Sequence, residues 1–260
     1  MNNSIQNRIE TIRREGYDLD FGRVFEHAFK NYKKIALYGG LVLFVFFVVI
    51  SIAIFGVVIA SFGAAAVMAF LQPENLKIEN FDFNSLLIVS TASIVLGALL
   101  SPLTAGLIKM AYCAEHDEEF HVSTMFEFYK APYFKELFIA TFLVSLVSNV
   151  ISSIITYAQI PVLNFIISVA IALFTIIMIP LIIFGKLKAV QAIEASVIIV
   201  SKQPLTILGL LVVCVIAAML GFIGCCIGIF FTLPLLYSLY YAIYNEIIGF
   251  DNENKVDVIL

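Results

Sequence analysis

The chain alternates between long apolar segments and short polar ones. An apolar α-helix needs about 20 residues to cross a bilayer. The first apolar segment, 35–71, has 37 residues without a charge, which is too many for one span and too few for two. Either the first helix projects well beyond the bilayer, or it breaks near Ser61–Gly63. We favour the break, with an irregular or interfacial remainder up to residue 71. The whole pattern predicts six spans, at about 35–60, 85–110, 136–158, 162–185, 204–222 and 227–248.

Shorter segments with one apolar face lie before several of these spans. The clearest is 21–34, in which Phe21, Phe25 and Phe29 recur at helical spacing opposite basic residues. A helix of this kind beside a span typically lies in the membrane interface. Similar patterns predict helices at 2–15, 123–135 and 187–202.

Composition supports a membrane location. Hydrophobic residues make up 62% of the chain and charged residues 13%, whereas soluble proteins have about 45–50% and 25%. So few charges cannot cover a water-soluble globule of this size. We predict an all-α polytopic membrane protein with interfacial or cytosolic helices at 1–34, a six-span membrane domain at 35–249 and a cytosolic tail at 250–260.

The basic residues indicate the orientation of the chain. Short loops on the cytosolic side of a membrane carry an excess of Lys and Arg. With six spans and a cytosolic N-terminus, 14 of the 15 Lys and Arg residues lie on the cytosolic side, and only Lys77 lies outside. We therefore expect both termini in the cytosol. Lys109, Lys186 and Lys188 then stand at the cytosolic ends of spans, where long side chains can reach the interface.

The sequence pattern predicts that a unit of one interfacial helix and two spans recurs three times. The second span of each unit contains a Pro-Leu pair, beginning at Pro102, Pro180 and Pro234. Proline kinks a helix and frees a carbonyl, which lipid cannot satisfy. We therefore expect the three prolines to face the interior of the bundle. The simpler alternative is that any interfacial helix leading into a span has similar local features.

Lysines cluster where the interfacial helices meet the spans, and we name this set the lysine collar. Lysine near a membrane attracts anionic headgroups. One interpretation is that the collar only anchors and orients the protein. The sharper hypothesis is that it binds anionic lipid headgroups or a membrane-protein partner. The lysine collar comprises Lys30, Lys33, Lys34, Lys130, Lys135, Lys186, Lys188 and Lys202.

The sequence contains no recognisable catalytic, cofactor-binding or nucleotide-binding motif, and we predict no enzyme activity, cofactor, metal site or nucleic-acid partner. No carboxylate falls at mid-membrane depth, which counts against transport coupled to protons or sodium. The loop 115–121 is rich in His, Asp and Glu, and a loose divalent-ion site there is the minor alternative to a solvated loop. The four cysteines are interpreted as small apolar residues.

Three strings carry a resemblance: FGRVFEHAFKNYKK, AIEASVIIVSKQPL and GCCIGIFFTLPLLYSLYYAIYNE. Together they resemble bacterial six-span membrane proteins of unassigned function, including the membrane domain fused to some glycerophosphodiester phosphodiesterases. The phosphodiesterase catalytic domain has no counterpart here. The resemblance implies a multi-pass protein of the bacterial cytoplasmic membrane and carries no activity with it.

Two functions are favoured by the sequence, and a third, a membrane enzyme that acts on lipid through polar groups of the loop 115–121, ranks below them. The first is a non-enzymatic membrane protein that organises lipids or holds a membrane complex through the lysine collar. The second is a transporter or flippase of an amphipathic, lipid-like substrate through a core lined by Pro102, Pro180 and Pro234. The second requires a continuous interior path.

Overall fold

The computed structural model describes residues 3–72, 83–130, 132–223 and 227–250. These residues form α-helices joined by short turns and 3-10 segments, with no strand among them. The prediction of an all-α fold is confirmed. The helices are α1 (Asn3–Glu15), α2 (Phe21–Phe62), α3 (Ala64–Phe70), α4 (Phe83–Glu115), α5 (Val122–Met125), α6 (Tyr133–Tyr157), α7 (Pro161–Phe174), α8 (Met178–Ile183), α9 (Ala189–Lys202), α10 (Pro204–Met219), α11 (Gly228–Thr232) and α12 (Pro234–Ile247).

Within the described part of the chain, five helical segments are long and apolar enough to cross a membrane. They confirm a multi-pass membrane protein. The sixth predicted span is divided at Leu233 into α11 and α12 and is not among the five. Six spans and a threefold repeat therefore stay predictions. The five segments are Phe21–Ser61, Leu87–Glu115, Tyr133–Tyr157, Pro161–Ile183 and Pro204–Phe222.

The first interfacial helix and the first span form one continuous helix, α2, rather than two elements. Asp20 caps its start by accepting a hydrogen bond from the Arg23 backbone N–H at 2.6 Å. Gly63 ends it with a φ of +80°, and α3 follows. The predicted break near residues 61–63 is confirmed, and the remainder up to residue 70 is a short helix.

The predicted helix at 123–135 is wrong as a single element. The structure has α5, a 3-10 turn at Glu127–Tyr129 and then the start of α6 at Tyr133. The chain bends because α5 lies directly on α4, where the Met125 backbone packs against Gly106. Pro132, which lacks an N–H, precedes the first residue of α6 and helps to separate it from the 3-10 turn.

The fourth apolar segment is also interrupted. It consists of α7 and α8, with a turn at residues 175–177. Pro180 cannot donate a hydrogen bond to the carbonyl four residues earlier, and its ring crowds that carbonyl. Ser196 of α9 satisfies part of the break, because its Oγ donates to the Phe174 carbonyl at 2.7 Å.

Helix α12 lies at the centre of the bundle. It packs against α2, α4, α8 and α10. Around it, contacts between successive helices form a ring through the pairs α2–α4, α4–α6, α6–α7, α7–α10 and α10–α2. Gly40 lets α2 pack closely on α11, whereas Gly39 has room for a methyl group beside the start of α12. A Cβ on Gly39 would lie 3.6 Å from Pro234, and one on Gly40 would lie 2.9 Å from the Phe231 Cα.

Helix α1 packs on the protein rather than on lipid. Its apolar face is buried, with Ile5, Ile9 and Ile12 only 0–8% exposed. Arg8 donates to the Ile247 carbonyl at the end of α12 from both Nε and Nη2, at 3.2 and 3.0 Å. Arg13 also pairs with Glu194 of α9 at 3.0 Å. The N-terminal helix therefore ties α9 to α12 at the lysine-rich end of the bundle.

Candidate functional site at the lysine-rich end

All eight residues of the lysine collar are exposed. Lys30, Lys33 and Lys34 lie in the N-terminal third of α2, and the other five lie close to the start of α6, the end of α8 and the start of α10. Lys109 differs from them. The expectation that it reaches the interface is wrong, because it is 6% exposed and its Nζ lies 4.6 Å from the centre of the Tyr112 ring.

One collar lysine has a clear structural partner. The Lys34 Nζ donates to the Ala114 carbonyl at 2.7 Å and to Asp117 Oδ1 at 2.5 Å. The hydrogen bond and charge of Lys34 lower the pKa of Asp117 below its usual value. Asp117 itself has a φ of +53°, so the turn after α4 holds an uncommon backbone conformation. Lys34 therefore joins α2 to the end of α4.

An aromatic ladder runs beside the lysines on α2. The rings of Phe21, Phe25, Phe29 and Tyr32 follow one another with centroid separations of 6.5, 6.1 and 5.7 Å. Phe21 and Phe29 are 39% and 41% exposed. The Lys33 ammonium stands 5.4 Å above the Phe29 ring. Exposed aromatic rings beside lysines are typical of the membrane–water interface.

A second ladder connects the 3-10 turn to α6. It has centroid separations of 6.0 to 6.1 Å between successive rings. Lys130 and Lys135 lie within its span of the chain and are exposed. Two sides of the bundle thus combine stacked aromatic rings with collar lysines. The rings are Phe126, Tyr129, Phe134, Phe138 and Phe142.

A polar cluster centred on Glu115 joins three helices, and the sequence did not predict it. His27 Nε2 lies 2.6 Å from Glu115 Oε2, and Asn31 Nδ2 donates to the same oxygen at 3.3 Å. Asn245 of α12 donates to Glu115 Oε1 at 3.3 Å. The buried hydroxyl of Tyr241 lies close to this carboxylate. One carboxylate therefore connects α2, α4 and α12.

The cluster extends to a second carboxylate on α12. Glu246 Oε1 lies 3.7 Å from His27 Nδ1, and Glu246 Oε2 lies 3.0 Å from Arg23 Nε. The only sequence signal was the helical spacing of His27 and Asn31 on one face of α2. Nothing in a single sequence pairs that face with residues more than 80 positions away. The cluster is a structural clamp at the end of the bundle.

The loop 115–121 does not converge on a common point. Glu115 contacts His27, Asp117 contacts Lys34, and His116 Nδ1 lies 3.0 Å from the Tyr112 carbonyl. Among the described residues, no group of three His, Cys, Asp or Glu side chains is placed to hold a metal ion. Cys113 and Cys214 are buried free thiols. Cys225 and Cys226 lie outside the described residues.

The three predicted core prolines are buried. Pro102 lies inside α4, Pro180 inside α8, and Pro234 begins α12. The side chains of α12 that face the neighbouring helices are also buried. They are Leu235, Ser238, Leu239, Tyr241, Ala242, Ile243, Tyr244 and Ile247.

Comparisons with known proteins identify no relative. No family model matches the chain, and no curated protein or solved structure matches it either. The resemblance to the membrane domain of some glycerophosphodiester phosphodiesterases therefore stays a prediction.

Proposed function

We propose that this protein is a non-enzymatic membrane protein of the bacterial cytoplasmic membrane that organises anionic lipids, or holds a membrane complex, through its lysine collar. The observation that carries the proposal is the exposure of all eight collar lysines, four of which (Lys30, Lys33, Lys130 and Lys135) lie on the segments that carry the two aromatic ladders. The positive-inside rule places this end in the cytosol, together with both termini.

The collar and the ladders act on different parts of the lipid. Tyr32 and Tyr129, the tyrosines of the two ladders, have amphipathic rings of the kind that lie at the level of the headgroups and fix the depth of the bundle. Each lysine near an anionic surface contributes about 1 kcal/mol of attraction. Lys30, Lys33, Lys130 and Lys135 are exposed next to these rings, so the bundle presents its charge at the depth where phosphate groups lie. Anionic lipids are then enriched around the protein.

Transport of a lipid-like substrate is the second candidate, and the packing around α12 supports it less well. A path along the bundle axis would have to pass Tyr241 and Tyr244, which are 0% and 1% exposed. Gly40 brings α2 against α11 without room for a side chain between them. A transport cycle would have to displace this central helix.

Neutralising part of the collar tests the proposal. We expect the variant with Lys30, Lys33, Lys130 and Lys135 changed to Gln to lose its enrichment of anionic lipid several-fold, because four exposed charges are removed. The measurement is the ratio of phosphatidylglycerol to phosphatidylcholine that co-extracts in polymer-bounded particles from vesicles of the two lipids.

The matched control changes the same four lysines to Arg, which keeps the charge and should keep the enrichment. Circular dichroism checks that both variants remain helical. An unchanged lipid ratio in the Gln variant would count against the collar. Equal losses in the Gln and Arg variants would show that charge is not the cause.

A further inference from the structure

A small cavity lies between the start of α6 and the turn that joins α8 to α9. Its volume is about 240 Å³, and its lining includes Tyr133, Glu136, Ile182, Lys186 and Lys188. Tyr133 begins one candidate span and Ile183 ends another. The cavity therefore opens at the boundary of the membrane, and we name it the lysine pocket.

The charge at the mouth of the lysine pocket is predominantly positive. Lys186 and Lys188 are exposed there, and Lys135 is exposed on the adjoining turn of α6. Glu136 is the acidic residue of the lining, and its Oε2 accepts a hydrogen bond from the Ala189 N–H at 2.8 Å. The positive end of the α9 dipole therefore offsets the charge of Glu136.

The turn that carries the two lysines is held in place by its backbone. Lys186 has a φ of +52°, a conformation that a non-glycine residue adopts only when the surroundings impose it. The Leu187 N–H donates to the Leu181 carbonyl at 3.2 Å, and Gly185 packs tightly on that same carbonyl. The lysine side chains therefore extend from a fixed base.

An apolar groove of about 360 Å³ lies farther along α6, between α6, α7 and α9. Glu136, Leu143 and Val147 share one face of α6, since they are 7 and 11 residues apart. The groove is therefore about 10–16 Å deeper in the membrane than the lysine pocket. The surface that the groove exposes is apolar. Its lining includes Leu143, Val144, Val147, Ala170, Phe174 and Val197.

An apolar face of α9 leads from the lysine pocket towards the groove. Ala140, which lies between them on α6, is buried, so the connection does not run directly over that helix. On α9, Val190, Ile193 and Val197 share a face at helical spacing, and Val190 is 63% exposed. This apolar face starts next to Lys188 and reaches the groove. It offers a continuous surface for an acyl chain.

We propose that the lysine pocket and the apolar groove together bind one anionic phospholipid. The phosphate lies at Lys186 and Lys188, and one acyl chain follows the Val190 face of α9 into the groove. This inference rests on the proposed function and adds a defined site to it. A membrane lipid fits better than a free phosphate, because only the lipid uses the apolar part.

The first test measures binding of phosphatidylglycerol to the detergent-purified protein by native mass spectrometry. We expect one lipid to bind more tightly than the others. Changing Lys186 and Lys188 to Gln should weaken its affinity roughly thirty-fold, at about 1 kcal/mol for each lysine. Changing Lys30 and Lys33 to Gln is the comparison: it should reduce the weaker lipids that the collar attracts, but alter the affinity of this one lipid less than about two-fold.

The second test separates the lipid from its headgroup. Ala170→Phe fills the groove and should also weaken the binding of phosphatidylglycerol. Val147→Phe repeats the test from α6 instead of α7. Glycerol 3-phosphate should compete poorly, because it lacks the chains. Full competition by glycerol 3-phosphate, or unchanged lipid affinity in both groove variants, would reduce the site to an anion pocket and overturn the inference.

The remaining outcomes distinguish this site from the proposed function. Equal weakening by the Lys186/Lys188 and Lys30/Lys33 pairs would mean that lipid binds diffusely around the collar. That result overturns the defined site and leaves the proposed function standing. No binding of phosphatidylglycerol by the unaltered protein would overturn both.

Discussion

Replacing Gly106 by Ala will destabilise the protein by about 2 kcal/mol or more, although alanine is the better helix former. The new Cβ would lie 2.5 Å from the Met125 Cα and 2.6 Å from its carbonyl carbon. Both atoms belong to the backbone of α5, so the contact can be relieved only by moving α5 away from α4. The measurement is chemical unfolding in detergent, followed by circular dichroism.

Gly97→Ala is the matched control for this prediction. Gly97 lies on the same helix, and a Cβ there would meet no other atom within 4 Å. The control gains the same helix propensity without a clash and should be neutral or more stable by about 0.5–1 kcal/mol. Similar unfolding midpoints for the two variants would show that α5 does not pack on α4 as described.

Glu115→Ala is expected to cost roughly 2–3 kcal/mol. His27, Asn31 and Asn245 all use this carboxylate as a hydrogen-bond acceptor or partner, and Asn31 is 1% exposed. Removing the acceptor leaves buried donors without a partner, which costs about 1–3 kcal/mol for each poorly solvated group. Because Glu115 itself is partly exposed, water offsets part of this cost. Unfolding in detergent again reports the effect.

The control for Glu115 is Glu119→Ala. The Glu119 side chain is 92% exposed, and its nearest basic group, His121, is 3.9 Å away. An exposed pair of this kind should change stability by less than about 0.5 kcal/mol. If the two variants unfold alike, the cluster around Glu115 contributes nothing to stability, and the description of it as a clamp is wrong.

The fold class could be predicted from the sequence because lipid imposes strong constraints. Apolar length predicts where spans lie, and Gly63 ended α2 close to the expected break. It was harder to predict that α2 is one continuous helix. The amphipathic pattern of 21–34 changes to an all-apolar one at Ile35, but the helix continues through that change, because a change of solvent does not by itself break backbone hydrogen bonds.

The failures of prediction come from tertiary contacts. The helix at 123–135 is interrupted because the α5 backbone packs on Gly106, and local periodicity contains no information about that contact. Lys109 was expected at the interface because lysine usually reaches water. In the structure, α4 continues past it to Glu115, and its ammonium lies over Tyr112.

The candidate site was predictable only in part, because some of its contacts are also tertiary. The collar could be read from the sequence, since lysines are placed where spans end. The clamp around Glu115 could not, because it joins residues of α2, α4 and α12 that are far apart in the chain. The lysine pocket also depends on how the turn at Lys186 meets α6, which no local pattern shows.

Native mass spectrometry of the protein, released gently from its own membrane, tests the central claim most directly. We predict that the unaltered protein retains anionic phospholipid. We also predict that the variant with Lys30, Lys33, Lys130 and Lys135 changed to Gln retains several-fold less of it. A protein released without lipid, or a variant that retains the same lipid in the same amount, would contradict a lipid-organising collar.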